Sequence, residues 1–173
     1  MKKQIRQGAF ETNSSSCHAI AIAKDDYFDI PEEISFNFGE YGWECDTHRS
    51  RKDRANYLYT CLGYMGESDV KKYVKFIIKT LKSHGVKIRH MEDFKFGPCY
   101  WDDKTNFIIQ PGDGYVDHGD ETREFVEAVC SDEDRLLRYL FSDKSFVMTG
   151  NDNDGTTPHI NVDYDHEEYE KCN

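Results

Sequence analysis

The sequence predicts an α+β fold: a mixed or antiparallel sheet packed against an antiparallel helical hairpin and two shorter helices. Three observations carry the prediction. Short apolar runs with period two alternate with longer stretches of helical period. The aromatic fraction is 14 %, with 11 Tyr and 11 Phe, enough to build a core and too high for a disordered chain. No internal repeat or low-complexity linker divides the 173 residues, so one packed domain over 1–162 is the economical reading, followed by an acidic C-terminal tail over 163–173.

The elements follow in chain order. Ile5 to Phe10 and Cys17 to Ala23 read as strands around a polar loop. Ile34-Ser35-Phe36-Asn37-Phe38 alternates as a half-buried strand does. Over 50–65, Ala55, Leu58, Leu62 and Met65 recur at helical spacing, with Gly66 as C-cap and Ser68 as N-cap of the next helix. That helix, 69–84, carries an apolar stripe of Val70, Tyr73, Val74, Ile77, Ile78 and Leu81. Lys71, Lys72, Lys75, Lys79 and Lys82 line its other faces. The short connection makes the two helices a hairpin. Val86 to His90 is a strand, and Asn106 to Gln110 another, before the turn residues 111–114. Asp120 can cap a helix bearing Phe125, Val126 and Val129. Ser131-Asp132-Glu133-Asp134 resembles a capping box ahead of Leu136, Leu137, Leu140 and Phe141. Ser145 to Thr149 is a strand, 150–155 a loop, and His159 to Val162 a last strand.

Charge and cysteine usage bound the class. The net charge is −11, but residues 46–95 hold 12 Lys/Arg against 6 Asp/Glu, while the rest hold 10 against 27. Most of the surface therefore repels nucleic acid, and only the basic helices over 49–84 have the charge to meet a phosphate backbone. No apolar stretch of 18 residues exists, so no membrane span is expected. Met1-Lys2-Lys3-Gln4-Ile5-Arg6 lacks a following apolar region, which argues against a signal peptide and for a cytoplasmic protein with reduced thiols. None of the six cysteines is in CxxC spacing, and Cys61 and Cys130 fall on apolar helix faces.

The densest polar chemistry lies at 13–18, in Asn13, Ser14, Ser15, Ser16, Cys17 and His18. Hydroxyls, an amide and successive backbone N–H groups suit an anion, with Arg6 nearby across a hairpin and His18 as a candidate catalytic base. The same residues also make a tight turn that satisfies its own backbone. No glycine accompanies the serines, so the run is not a P-loop. Gly150-Asn151-Asp152-Asn153-Asp154-Gly155 fails as a calcium loop: with Gly155 in sixth place, positions one and twelve are Gly150 and Asn161, where carboxylates are needed. Asp113, Asp117, His118 and Asp120 form a weaker acid–base or metal candidate against a reading as solvated loop, and no metal site is assigned. Arg49, Arg51, Lys52, Arg54, Tyr57 and Tyr59, with the five helix lysines, are either a nucleic-acid face or the solvated side of amphipathic helices. Tyr41, Trp43, Phe94, Phe96, Tyr100, Trp101 and Phe107 are either core or a protein-binding patch.

The pattern Arg6-x-x-x-Phe10-Glu11-Thr12-Asn13-Ser14-Ser15-Ser16-x-His18 resembles the opening of a group of small bacterial and bacteriophage proteins of uncharacterised function. Ser145-Phe146-Val147-x-Thr149-Gly150-Asn151-Asp152-Asn153 resembles a second signature of the same group. Cys17 stands where Thr or Ser is more usual, which speaks against a cysteine nucleophile. The resemblance carries no activity; it implies an intracellular, phage-derived protein. Two functions are expected. One is an acidic factor that binds or inhibits a host or phage protein, acting as a nucleic-acid mimic. The other is a small enzyme or ligand-binding protein whose site is Arg6, Asn13, Ser14, Ser15, Ser16, His18, Asn151 and Asp152, with an anionic ligand such as a nucleotide or phosphate. No cofactor and no oligomeric state follow from the sequence.

Overall fold

The computed structural model describes residues 16–24, 27–42, 46–96, 114–117, 122–151 and 169–171. Its largest sheet is antiparallel and four-stranded, in the order β4 (Asp46–His48), β7 (Phe146–Asn151), β1 (Ser16–Ala23), β8 (Tyr169–Lys171). Two parallel pairs stand beside it: β2 (Glu33–Phe36) with β5 (Lys87–Met91), and β3 (Glu40–Tyr41) with β6 (Tyr115–Val116). Parallel neighbours need a long crossover. Between β2 and β5 it contains the helices α1 (Arg51–Leu62) and α2 (Glu67–Ser83); α3 (Arg123–Val129) and α4 (Glu133–Phe141) follow β6. The fold is α+β, as the alternation of periods predicts.

Helix α1 is the hub. Ser50 caps it: its hydroxyl accepts from the Asp53 N–H at 3.0 Å and donates to the Asp53 carboxylate at 2.5 Å. From Arg54 to Leu62 every residue is buried, because β2, β6, α3 and α4 surround the helix. The apolar stripe read from the sequence is therefore one side of a helix covered on all sides. Arg54, Tyr57 and Tyr59, considered as nucleic-acid contacts, lie in the interior and cannot reach a phosphate or a base. The Arg54 guanidinium donates to the carbonyls of Arg49, Ser145 and Leu140, and Tyr139 Oη donates back to the Arg54 carbonyl at 2.9 Å. Burial lowers the arginine's pKa, and the neighbouring Tyr139 and Asp143 push it part of the way back up.

The caps sit elsewhere than expected. Gly63, not Gly66, ends α1, where residues 63–65 tighten into i→i−3 bonds to Thr60, Cys61 and Leu62. Gly66 precedes α2, and Ser68 lies inside that helix. Helix α2 ends in a Schellman motif: Gly85 has φ +77°, Val86 N–H bonds Leu81 O, and Gly85 N–H bonds Lys82 O. Asp132 rather than Ser131 caps α4, accepting from Arg135 N–H at 2.8 Å, and Thr122 precedes α3. The chief helix neighbours of α1 are α3 and α4, while α2 packs on β5.

Ile20, Ile22 and Val147 face the helices together with Leu58, Leu62, Phe125, Leu136 and Leu140. Ala19, Ala21 and Ala23 alternate with them on the reverse face and are also buried. Phe94 and Phe96 pack with Phe38 and Tyr59 as a satellite of this core. Residues 163–173, expected to be a tail beyond the domain, contribute β8: Ala21 pairs with Lys171 and Ala23 with Tyr169. The alternation of Tyr169 and Lys171 about Glu170 suits a strand, and the free edge of β1 supplies its partner. The expected strands at 5–10, 106–110 and 159–162 lie outside the described residues, as do Trp43, Tyr100, Trp101 and Phe107.

Candidate functional site

The start of β1 and the end of β7 meet at one end of the sheet. Ser16 pairs with Asn151, Cys17 with Gly150 and His18 with Thr149. On the far side of β7, Asp46 also pairs with Thr149. Directly opposed residues of an antiparallel pair share a face, so Asp46, Thr149 and His18 form one row across three strands. Ile20, Val147 and His48 form the next row, and the core residues Ile20 and Val147 place this face against α1.

Helix α1 answers the row with Tyr57. His18 Nδ1 and Tyr57 Oη are 2.9 Å apart, with both side chains buried; the direction of the bond depends on the histidine tautomer. Tyr57 meets the edge of Tyr41 at 5.0 Å, and Tyr41 meets His48 at 5.1 Å. His48 Nε2 stands 3.4 Å from Thr149 Oγ1, which returns the circuit to the residue opposite His18. Five side chains from β1, β3, β4, β7 and α1 thus close a ring: His18, Tyr57, Tyr41, His48 and Thr149.

Behind Tyr57 the polar path continues to Cys61 and from Cys61 to Thr122. Burial drives the phenols of Tyr57 and Tyr41 well above their ordinary range and pushes the Cys61 thiol up to about 12. All three are neutral at physiological pH, and Cys61 is a hydrogen-bonding core residue rather than a nucleophile. Cys130 is likewise buried and its pKa raised by burial. The ring is a set of hydrogen-bonding and aromatic groups, apt for holding a fixed pattern of contacts beneath the strand ends.

Of the residues proposed from sequence, Ser16, His18 and Asn151 come together at this sheet end. Arg6, Asn13, Ser14, Ser15 and Asp152 lie outside the described residues. Asp117 reaches the same neighbourhood through β3, its N–H donating to the Tyr41 carbonyl at 2.8 Å; Asp113, His118 and Asp120 lie outside the described residues. Among the described residues no group of three His, Cys, Asp or Glu is placed to hold a metal ion, and no helix is long and apolar enough to cross a membrane. Sequence reasoning missed Tyr57, Tyr41 and His48 as site residues. Their proximity to His18 depends on pairing across tens of residues, and nothing local to any of them announces it. No protein-family model, curated protein or solved structure matches the chain.

Proposed function

We propose that this protein binds a small anionic ligand of the nucleotide or phosphate class at the end of the sheet where β1 begins and β7 ends. The observation that carries the reading is the register that sets Ser16 opposite Asn151 and His18 opposite Thr149. It makes neighbours of residues 16–18 and 149–151, which belong to the two stretches that resemble the bacterial and bacteriophage group and lie more than 130 positions apart in the sequence. In this reading Ser14, Ser15 and Ser16 donate hydroxyl and backbone N–H groups to the anion, Arg6 and Asn13 add donors, and Asn151 and Asp152 line the opposite side. His18, buried and tied to Tyr57, holds the start of β1 in place and so acts as a positioning residue.

The test is a thermal-shift and calorimetric screen of inorganic phosphate and nucleoside mono-, di- and triphosphates. A ligand present at a hundred times its Kd stabilises the fold by about 2.7 kcal/mol. Ser14→Ala/Ser15→Ala should abolish that gain while leaving the unliganded Tm unchanged. A screen with no stabilising anion at millimolar concentration would refute the reading.

A second reading, an intracellular acidic factor that binds or inhibits a basic protein partner, is favoured by one surface feature. Tyr27 is 90 % exposed and Ile30 40 % exposed, in a segment bordered by Asp25, Asp26, Asp29, Glu32 and Glu33. Exposed aromatic surface beside acids suits a partner with an apolar pocket rimmed by cations. Capture of a partner that is released by salt and lost in Tyr27→Ala would favour this reading over the first.

A further inference from the structure

We propose that the outer face of α2 is a docking surface for double-stranded nucleic acid, bound through its phosphate backbone without regard to sequence. The proposal does not depend on the site at the sheet end. Residues 70–91 contain seven Lys or Arg and no Asp or Glu, in a chain with 33 acids. Five of those cations, Lys71, Lys72, Lys75, Lys79 and Lys82, are exposed on α2. At 100° per residue they fall within an arc of about 100°, opposite the stripe of Val70, Tyr73, Ile77 and Leu81 that is buried in the core.

The helix cannot turn this face away, because its other side is fixed against β5 and the core. Lys71 to Lys82 spans about 16 Å, the length of roughly five successive phosphates on one strand of a duplex. Local acids neutralise little of the face. Lys71 pairs with Glu67 in the first turn, and Lys79 lies 3.8 Å from Glu133. Lys75 and Lys82 have no carboxylate partner among the described residues. The acids elsewhere repel a duplex at long range, but beyond about 8 Å physiological salt screens that repulsion. Single-strand binding would need exposed aromatics for stacking. Tyr73 on this helix is buried, so the face offers cations for a backbone rather than a stacking platform.

The experiment is fluorescence anisotropy of a labelled 20-base-pair duplex of arbitrary sequence, titrated with the full chain between 50 and 200 mM salt. Binding should weaken steeply with salt, with a log–log slope of about −3 to −4. Lys75→Glu/Lys82→Glu should weaken it about tenfold or more and reduce the slope by about 2. Lys24→Glu/Lys52→Glu alters two exposed lysines off this face and changes the net charge equally, so it controls for overall charge. Circular dichroism should show both variants folded. The proposal is overturned if the duplex does not bind at 50 mM salt, or if the two variants bind alike. It is equally overturned if the face proves to mediate only self-association, seen by sedimentation as a larger species that Lys75→Glu/Lys82→Glu abolishes.

Discussion

Tyr57 and Arg54 stand three residues apart on α1 and show what burial does to a polar side chain. Each is fully buried and each is anchored to a segment distant in sequence: Tyr57 to His18, Arg54 to the carbonyls of Leu140 and Ser145. The hydroxyl of Tyr57 has two tasks, bonding the imidazole on one side and Cys61 on the other. Tyr57→Phe keeps the ring and its packing on Tyr41 and Phe125 but removes both bonds. The expected loss is about 1–3 kcal/mol, since a buried nitrogen of His18 then loses its phenol partner. Urea unfolding should show it as a lower midpoint with an unchanged slope. A midpoint equal to that of the parent would mean that the pair contributes nothing to stability.

At the scale of elements, two glycines separate backbone conformation from close approach. Gly85 has positive φ, yet a Cβ there would meet nothing within 4 Å. Gly114 has φ +117°, and its Cβ would lie 2.6 Å from Gly39 O, where β3 and β6 come together. Gly85→Ala should therefore cost about 1 kcal/mol, the conformational term alone. Gly114→Ala should cost several kcal/mol, because it also pries β6 from β3. Equal midpoints for the two variants in thermal melts would contradict this account. The elements legible in the sequence were those whose periodicity is imposed by one neighbour. α2 shows its stripe because only one side is buried, and β1 and β7 show apolar runs because they lie inside a sheet. The all-round burial of α1 was not legible: Arg54 reads as a surface cation until the carbonyls of Leu140 and Ser145 arrive to accept from its guanidinium. The candidate site was half legible for the same reason. Its serines and His18 stand together in sequence, whereas Tyr57, Tyr41 and His48 join them only through tertiary contacts.

Across the whole molecule, charge and strand order work at different ends. The cations concentrate on α2, while the C-terminal residues 151–173 hold seven acids and one base. Part of that acidic stretch is nonetheless structural, because β8 covers one edge of β1. Deleting 163–173 should lower stability by about 2 kcal/mol through lost ladder bonds. It should also leave β1 with an open edge that recruits other copies. Calorimetry, with sedimentation at two concentrations, measures both; an unchanged monomer would show that β8 is dispensable. The position of β1 also sets a timetable for synthesis. Residues 16–23 leave the ribosome more than 120 residues ahead of both of their strand partners, 146–151 and 169–171. At about 5–20 residues per second, the apolar run from Ala19 to Ala23 waits on the order of ten seconds for them. Through that interval a nascent chain must keep its most strand-forming segment from pairing with a stranger.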